Sequence, residues 1–292
     1  MPSPSSPPEL RRARPLLGTL VEICAAGGSS LQQLNQAVDQ AFAAIERVHA
    51  LMSFHAPDSE VSRLNREAHR RALRVGPRTF AVLQAAQTLA RLSGGAFDIS
   101  VAARLQAWGL LPPSPGAVDD GASWRDLELL DASRVRFRRR LKIDLGGIAK
   151  GYAVDCAVAV LRDAGLSAGL VNAGGDLRVF GAGARNLALR DPRLPLLAGR
   201  RIRLADEALA TSAGYFSRRH AARGEVSALL NPATGEAFLG SASVSVIAPQ
   251  CMLADALTKI VLFAPAATAE AVLSTYNARA LVLAPQEISL AA

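Results

Sequence analysis

Aromatic side chains make up only 5% of this chain, cysteines number three, and charged residues stop at 20%. Each scarcity excludes something. The few aromatics do not interleave with the arginine clusters "RRAR" and "RFRRR", so a stacking platform for nucleic-acid bases is missing. The formal charge of +8 then reads as solvated basic faces, with no nucleic-acid partner. Cys24, Cys156 and Cys251 are far apart and form no CxxC pair. That argues for buried thiols over a zinc site or a disulfide framework. No run reaches the roughly 18 consecutive apolar residues that a membrane-spanning helix needs. The opening "MPSPSSPPELRRARP" lacks the apolar stretch and cleavage site of a secretory leader, so the chain as given is expected in the cytoplasm. No nucleophile, histidine and acid stand out as a hydrolase triad.

What is present is 50% hydrophobic content in 292 residues, enough to bury a large core. Leu31, Leu34, Val38, Phe42, Ile45, Val48 and Leu51 recur at steps of three and four and predict a helix over 31–52. A second helix is expected over 78–93, ending at Gly94-Gly95, and further ones over 148–164, 252–263 and 265–275. The stretch between the first two, "SFHAPDSEVSRLNREA", reads as polar turns. Strands are expected in "GTLVEICA", "RVRFRRRLKIDL", "IRLADEALATS", "ASVSVIAP" and "RALVLAP", and two more either side of Gly174-Gly175. Clustered strands mixed with long helices predict an α+β fold with a largely antiparallel sheet. Residues 1–14 are expected to be a flexible segment and 15–292 one domain, with a Pro-rich loop at 110–123.

In "KIDLGGIAKGYAVD" (142–155) a strand is expected to end at Asp144, two glycines allow close backbone approach, and a helix begins near Ile148. Such a helix start can meet a phosphate, or it can be a plain strand-to-helix turn. Neither GxGxxG nor GxxxxGK[ST] is present to decide the matter. Other glycine turns lie beside acids or hydroxyls: "SGGAFDIS" (93–100), "VNAGGDLRVFG" (171–181), "ATSAGYFSRR" (210–219) and "LLNPATGE" (229–236).

In order, the pieces "LLGT", "SFHAPDSEVSRLN", "GGAFDIS", "DLGGIAKGYAVD", "VNAGGDLRVFG", "TSAGY", "NPATG" and "ADALTK" resemble the ApbE-type FAD:protein FMN transferases, over roughly 15–285. The resemblance implies an ApbE-type α+β fold that binds FAD and, with Mg²⁺, moves its FMN half as a phosphoester onto a Thr or Ser of an acceptor protein, releasing AMP. It further implies that Leu17 and His55 flank the flavin or adenine, and that Ala96, Phe97 and Asp98 line the ring pocket with Leu229. Asp144 and Lys150 would hold the ribityl–phosphate region. Asp255 would bind Mg²⁺ with Thr258 and a carbonyl near Gly147, although a first-turn helix acid is the plain alternative for Asp255. The chain departs from the family pattern at several positions. His55 stands in place of Tyr, Ala213 and Gly214 in place of Gly-Asp, and Ala228 and Asn231 in place of a His and an Asp, which removes a possible general base. Lys259 stands where a hydroxyl residue is usual, and its ammonium either repels Mg²⁺ or stands in for it. The alternative reading is therefore an FAD-binding relative with weak or lost transfer. His220 reads as a surface residue.

Overall fold

The computed structural model of the chain describes residues 9–283, excepting 192–193, 215–217, 222–223 and the side chains of 191–199. The chain begins with a hairpin, β1 (Glu9–Leu16) and β2 (Thr19–Ala26), whose turn holds Leu17 at φ 56°. Over residues 9–14 a strand stands where the flexible segment was expected. "ELRRARPL" alternates in burial and pairs along its whole length with β2. Its arginines find carboxylates at Glu22 (2.5 Å from Arg11) and Asp39 (2.6 Å from Arg14). Residues 1–8 of that segment, and 284–292 at the other end, lie outside the described residues.

Helix α1 (Leu31–Met52) starts at Ser30, whose hydroxyl accepts the Gln33 N–H at 3.2 Å. The stretch read as turns contains a second helix, α2 (Glu60–Glu67), capped by Ser59. Its polar face hid it, because only Val61, Leu64 and Asn65 turn inward. After β3 (Leu73–Arg74) come α3 (Pro77–Leu92), a 3-10 turn at Ile99–Val101, α4 (Ala102–Ala107), β4 (Leu127–Leu130) and β5 (Arg134–Phe137). β3, β5 and β4 form a small sheet.

The strand expected over 134–145 stops at Phe137. Past that point the backbone is held by a side chain instead of a neighbouring strand. Buried Asn65 donates to the Ile143 carbonyl (2.9 Å) and accepts the Ile143 N–H (2.8 Å), while the Asp144 N–H reaches Ile99 O (2.8 Å). The amide imitates one rung of a ladder and fixes the segment that leads into α5 (Ala149–Asp163).

β6 (Ala168–Ala173) and β7 (Asp176–Gly181) follow on either side of the Gly174-Gly175 turn. Next come β8 (Arg185–Asp191), β9 (Leu194–Leu204), β10 (Ala208–Ala213), β11 (Arg219–Ala221), β12 (Gly224–Val226), β13 (Leu230–Asn231), β14 (Glu236–Ala237) and β15 (Ser243–Ala248). The described residues end with α6 (Cys251–Phe263), α7 (Ala266–Thr275) and β16 (Arg279–Leu283). The strand expected over 202–212 divides at Asp206, whose φ of 51° marks the turn between β9 and β10.

Seven strands form the main sheet in the order β1-β2-β6-β7-β10-β15-β16, every pair antiparallel, so the expected α+β class with an antiparallel sheet is the observed one. One face carries Val21, Ile23, Val171, Ala208, Ala210, Val244 and Val246 and packs under α1, α5 and α6. The opposite face carries Leu177, Val179, Leu209 and Ile247 and is covered by Leu189 and Leu204 of the β8–β9 hairpin. Alternation along β10 therefore supplies both cores, small residues to the helices and Leu209 to the hairpin. Among the described residues no helix is long and apolar enough to cross a membrane.

Candidate active site

The site is built on the junction of α5 and α6. Asp155 on α5 accepts the N–H groups of Cys251 (3.0 Å) and Met252 (2.8 Å), so a neighbouring helix caps the start of α6; Gln250 makes no side-chain cap there. Arg178 donates to Asp155 at 2.7 Å and holds that carboxylate in place. Gly151, one turn earlier on α5, lets the helices touch. A methyl there would lie 2.3 Å from the Cys251 carbonyl oxygen, a distance only glycine avoids. One turn into α6 this contact places Asp255 against α5, where its carboxylate accepts the Gly151 N–H at 3.3 Å.

The turn before α5 lines a cavity with Asp144 and Gly147. Asp144 accepts the Gly146 N–H (3.0 Å), and α5 starts on the Leu145 carbonyl. Burial raises the Asp144 carboxyl above the usual carboxylate range, against the pull of the Gly146 N–H and of nearby His55. Asp98 accepts from the N–H (2.7 Å) and hydroxyl (2.6 Å) of Ser100, and burial raises it too. The cavity between them is lined by Ala96, Phe97, Asp98, Ile99, Asp144, Gly147, Ala228, Leu229, Leu230, Pro232 and Lys259. Three separated sequence segments thus share one wall. Asn231, which replaces an expected acid, accepts the Ala233 N–H (3.0 Å) and shapes the turn at the cavity edge.

Leu17 and His55 do not line this cavity, although His55 is near enough to Asp144 to act on its carboxyl. Leu17 borders a concavity with His49 at the β1–β2 turn, and His55 borders one with Phe54 and Pro112–Pro115 of the Pro-rich loop. His220 is exposed, 3.8 Å from Glu225.

Behind Gly147 sits a buried cluster of two carboxylates and two ammonium groups. Lys150 pairs with Asp176, and Lys259 pairs with Asp255. Lys150 has its anion inside the chain, which accounts for a cation in the first turn of a helix. It does not line the cavity. Burial raises Asp176, Asp255 raises it further, and it reaches about 6 despite the two lysines. Burial acts on Asp255 in the same direction, but Lys259 and Lys150 outweigh it and keep that carboxyl below the usual range.

The donor set expected for Mg²⁺ is already committed. Asp255 gives one oxygen to Lys259 and the other to Gly151. Thr258 donates to the Asp255 carbonyl (2.6 Å) and shares a hydrogen bond with Ser212 of β10 (2.7 Å), so it ties α6 to the sheet. Mg²⁺ requires near-octahedral oxygen ligands, and these residues do not fit it while Lys259 lies among them. Among the described residues no group of three His, Cys, Asp or Glu side chains could hold a metal ion.

Sequence reasoning assigned no role to Asp176, Asp155 or Asn65. Asp176 closes a Gly-Gly-Asp turn already singled out, and Asp155 lies four residues after Gly151 on the same helical face. Those two carried a signal. Asn65 carried none, because its partner is a backbone 78 residues away.

A family model described as "ApbE family" matches residues 17–282. A protein of Treponema pallidum (strain Nichols) named FAD:protein FMN transferase is 27% identical over 283 residues, covering 85% of this chain and 77% of that protein. One of the same name from Rhodobacter capsulatus is 30% identical over 266 residues, again 85% of this chain but only 50% of the relative's length. The crystal structure of the ApbE protein from Thermotoga maritima superposes with a TM-score of 0.83 at 26% identity, over 94% of each chain.

Proposed function

We propose that this chain, which belongs to the ApbE family, is an FAD:protein FMN transferase. One observation carries the reading: "AFD", the Asp144–Gly147 turn and the "ALLN" turn, far apart in sequence, converge on a single cavity that Lys259 also lines. An apolar wall with a few placed polar groups suits the edge of a flavin ring, and the Lys259 ammonium that lines the same cavity suits an adjoining phosphate. The relatives from T. pallidum and R. capsulatus carry the same activity in their names.

The reaction asks for positioning and charge compensation more than for covalent help from the protein. The hydroxyl oxygen of a Thr or Ser on the acceptor protein bonds to the phosphorus on the FMN side of the pyrophosphate. The bond from that phosphorus to the bridging oxygen breaks, the bridging oxygen leaves on AMP, and the hydroxyl proton passes to solvent. Ala228 faces the cavity where the resemblance implies an imidazole, so no protein base is assigned. No step is routed through a divalent cation, because the residues at Asp255 do not match one.

Ala228 is also the observation that favours the second reading, an FAD-holding protein with weak or lost transfer. Incubating the full chain with FAD and an acceptor flavoprotein, then measuring intact mass and free AMP, tests both. Acceptor gaining the mass of FMN with equal AMP establishes the transferase. FAD retained with neither product selects the second reading, and no FAD binding overturns both.

A further inference from the structure

We infer that the Lys259 ammonium is a built-in cation that takes the place of a divalent metal where the cavity meets Asp255. Its role toward FAD rests on the transferase reading above; its place in the protein does not.

The geometry is specific. Lys259 lies one turn after Asp255 on α6 and donates both to the Asp255 carboxylate and, at 2.9 Å, to the Asp255 carbonyl. The site expected to hold the metal is bounded by Asp255 and Gly147. A methyl on Gly147 would lie 3.5 Å from the Lys259 Cε and 4.0 Å from its Nζ, so the ammonium end fills the space between them. The pair is well sheltered, with the Lys259 side chain 18% exposed and that of Asp255 3%. Lys259 also lines the cavity, together with Asp144 and Phe97. An ammonium has three donors; two are used on Asp255, and the third is left for an acceptor in the cavity.

Charge counting gives the same result. Asp176 and Asp255 are balanced by Lys150 and Lys259, so a divalent cation added here would make the cluster doubly positive against two ammonium groups at close range. The Thr258 hydroxyl spends its one proton on the Asp255 carbonyl and is held against Ser212 of β10. A lysine is a compact point charge on a flexible stem, suited to neutralising a phosphate oxygen without coordination geometry. Charge developing on the bridging oxygen during transfer would meet this fixed ammonium.

The test is Mn²⁺ titration of the full chain followed by electron paramagnetic resonance, without FAD and with FAD bound, on wild type, Lys259→Thr, Lys259→Ser and Asp255→Asn. Wild type is expected to show no saturable site that depends on Asp255. Removing the ammonium leaves the cluster one charge negative, so Lys259→Thr and Lys259→Ser are expected to bind Mn²⁺ at least about tenfold more tightly than wild type. A wild-type Mn²⁺ site lost in Asp255→Asn overturns the inference. Folded Lys259 variants, judged by circular dichroism, that gain no Mn²⁺ affinity also overturn it. If neither variant folds, the wild-type comparison with Asp255→Asn still decides. FAD affinity and AMP release are then measured in EDTA, where wild type is expected to lose less than about twofold and Lys259→Thr to require added metal. Wild-type AMP release abolished by EDTA and restored by Mg²⁺ counts against the inference. Absence of any FAD binding defeats the transferase reading, while the Mn²⁺ titration without FAD still judges the lysine.

Discussion

The two sides of the Asp144–Gly147 turn are held by different physics. On the cavity side, Phe97 and Leu230 are buried, Leu229 is half-buried, and the wall is apolar except for Asp98, Asp144 and the Lys259 ammonium. On the helix side, four charges of alternating sign sit between α5, α6 and β7, with Asp176 and Asp255 each 2% exposed. The apolar wall tolerates change, since a truncated side chain loses contacts in proportion to its area. The charged side does not. Both carboxylates were taken out of water against a specific lysine, and removing that lysine strands them. One side is therefore expected to tune ligand affinity, and the other to decide whether the site exists.

The largest effect should come from breaking a buried pair. Lys150→Ala leaves the Asp176 carboxylate without its direct partner, and the loss of stability in urea unfolding should be roughly 3–5 kcal/mol. Replacing both members, Lys150→Met with Asp176→Leu, should recover most of that loss, because an apolar pair of similar volume needs no compensation. If Lys150→Ala unfolds at the wild-type denaturant concentration, the two sides do not differ as described. Next in size is Gly151→Ala, whose methyl meets the Cys251 carbonyl oxygen and carbon and the Met252 Cα, all backbone atoms that no rotamer change can move. Separating α5 from α6 should cost about 1–3 kcal/mol. It should also weaken FAD binding, since the Gly151 N–H to Asp255 contact goes with it.

The contrast also explains what could be read from the sequence. Helices α1, α3, α5, α6 and α7 fall within a residue or two of their expected places, because apolar periodicity reports a helix that faces a core. α2 escaped, since its short inward face is outnumbered by Ser, Arg, Asn and Glu. β1 escaped for the related reason that an arginine-rich edge strand resembles a solvated run until its carboxylate partners on β2 and α1 are known. In the site, the cavity segments were legible because each is a local turn with a local pattern. The charge cluster was only half legible. Asp255 and Lys150 were singled out, and Lys259 is a local helical step from Asp255, but Asp176, the partner of Lys150, lies on β7 and depends on how α5 packs on the sheet, which no single segment encodes.

A smaller effect should follow on the cavity side. Leu229→Ala removes half-buried apolar area, so stability should change by less than about 1 kcal/mol, whereas FAD affinity by fluorescence quenching should fall about three- to tenfold. An equal loss in both quantities would place Leu229 in the core instead of in the wall.

The smallest effect, and one of opposite sign, is expected at Asp144. Burial raises its carboxyl in the folded chain, so across the interval between the unfolded value and that raised value the folded state holds the proton more tightly than the unfolded state does. Stability contributed by the protonated form is complete at pH below the unfolded value, falls as pH rises through the interval, and stays reduced above it. Asp144→Asn keeps an oxygen that can accept the Gly146 N–H at the same 3.0 Å position and removes the ionisation. The variant should therefore be more stable than wild type at neutral pH, and the gain should disappear on acidification below the ordinary carboxylate range, where both chains carry an uncharged side chain. Urea midpoints for the two proteins measured from acid to neutral pH give the answer. A variant less stable than wild type at neutral pH would mean that the Asp144 charge is compensated in the folded chain, and the turn would then belong with the paired charges behind it rather than with the apolar wall.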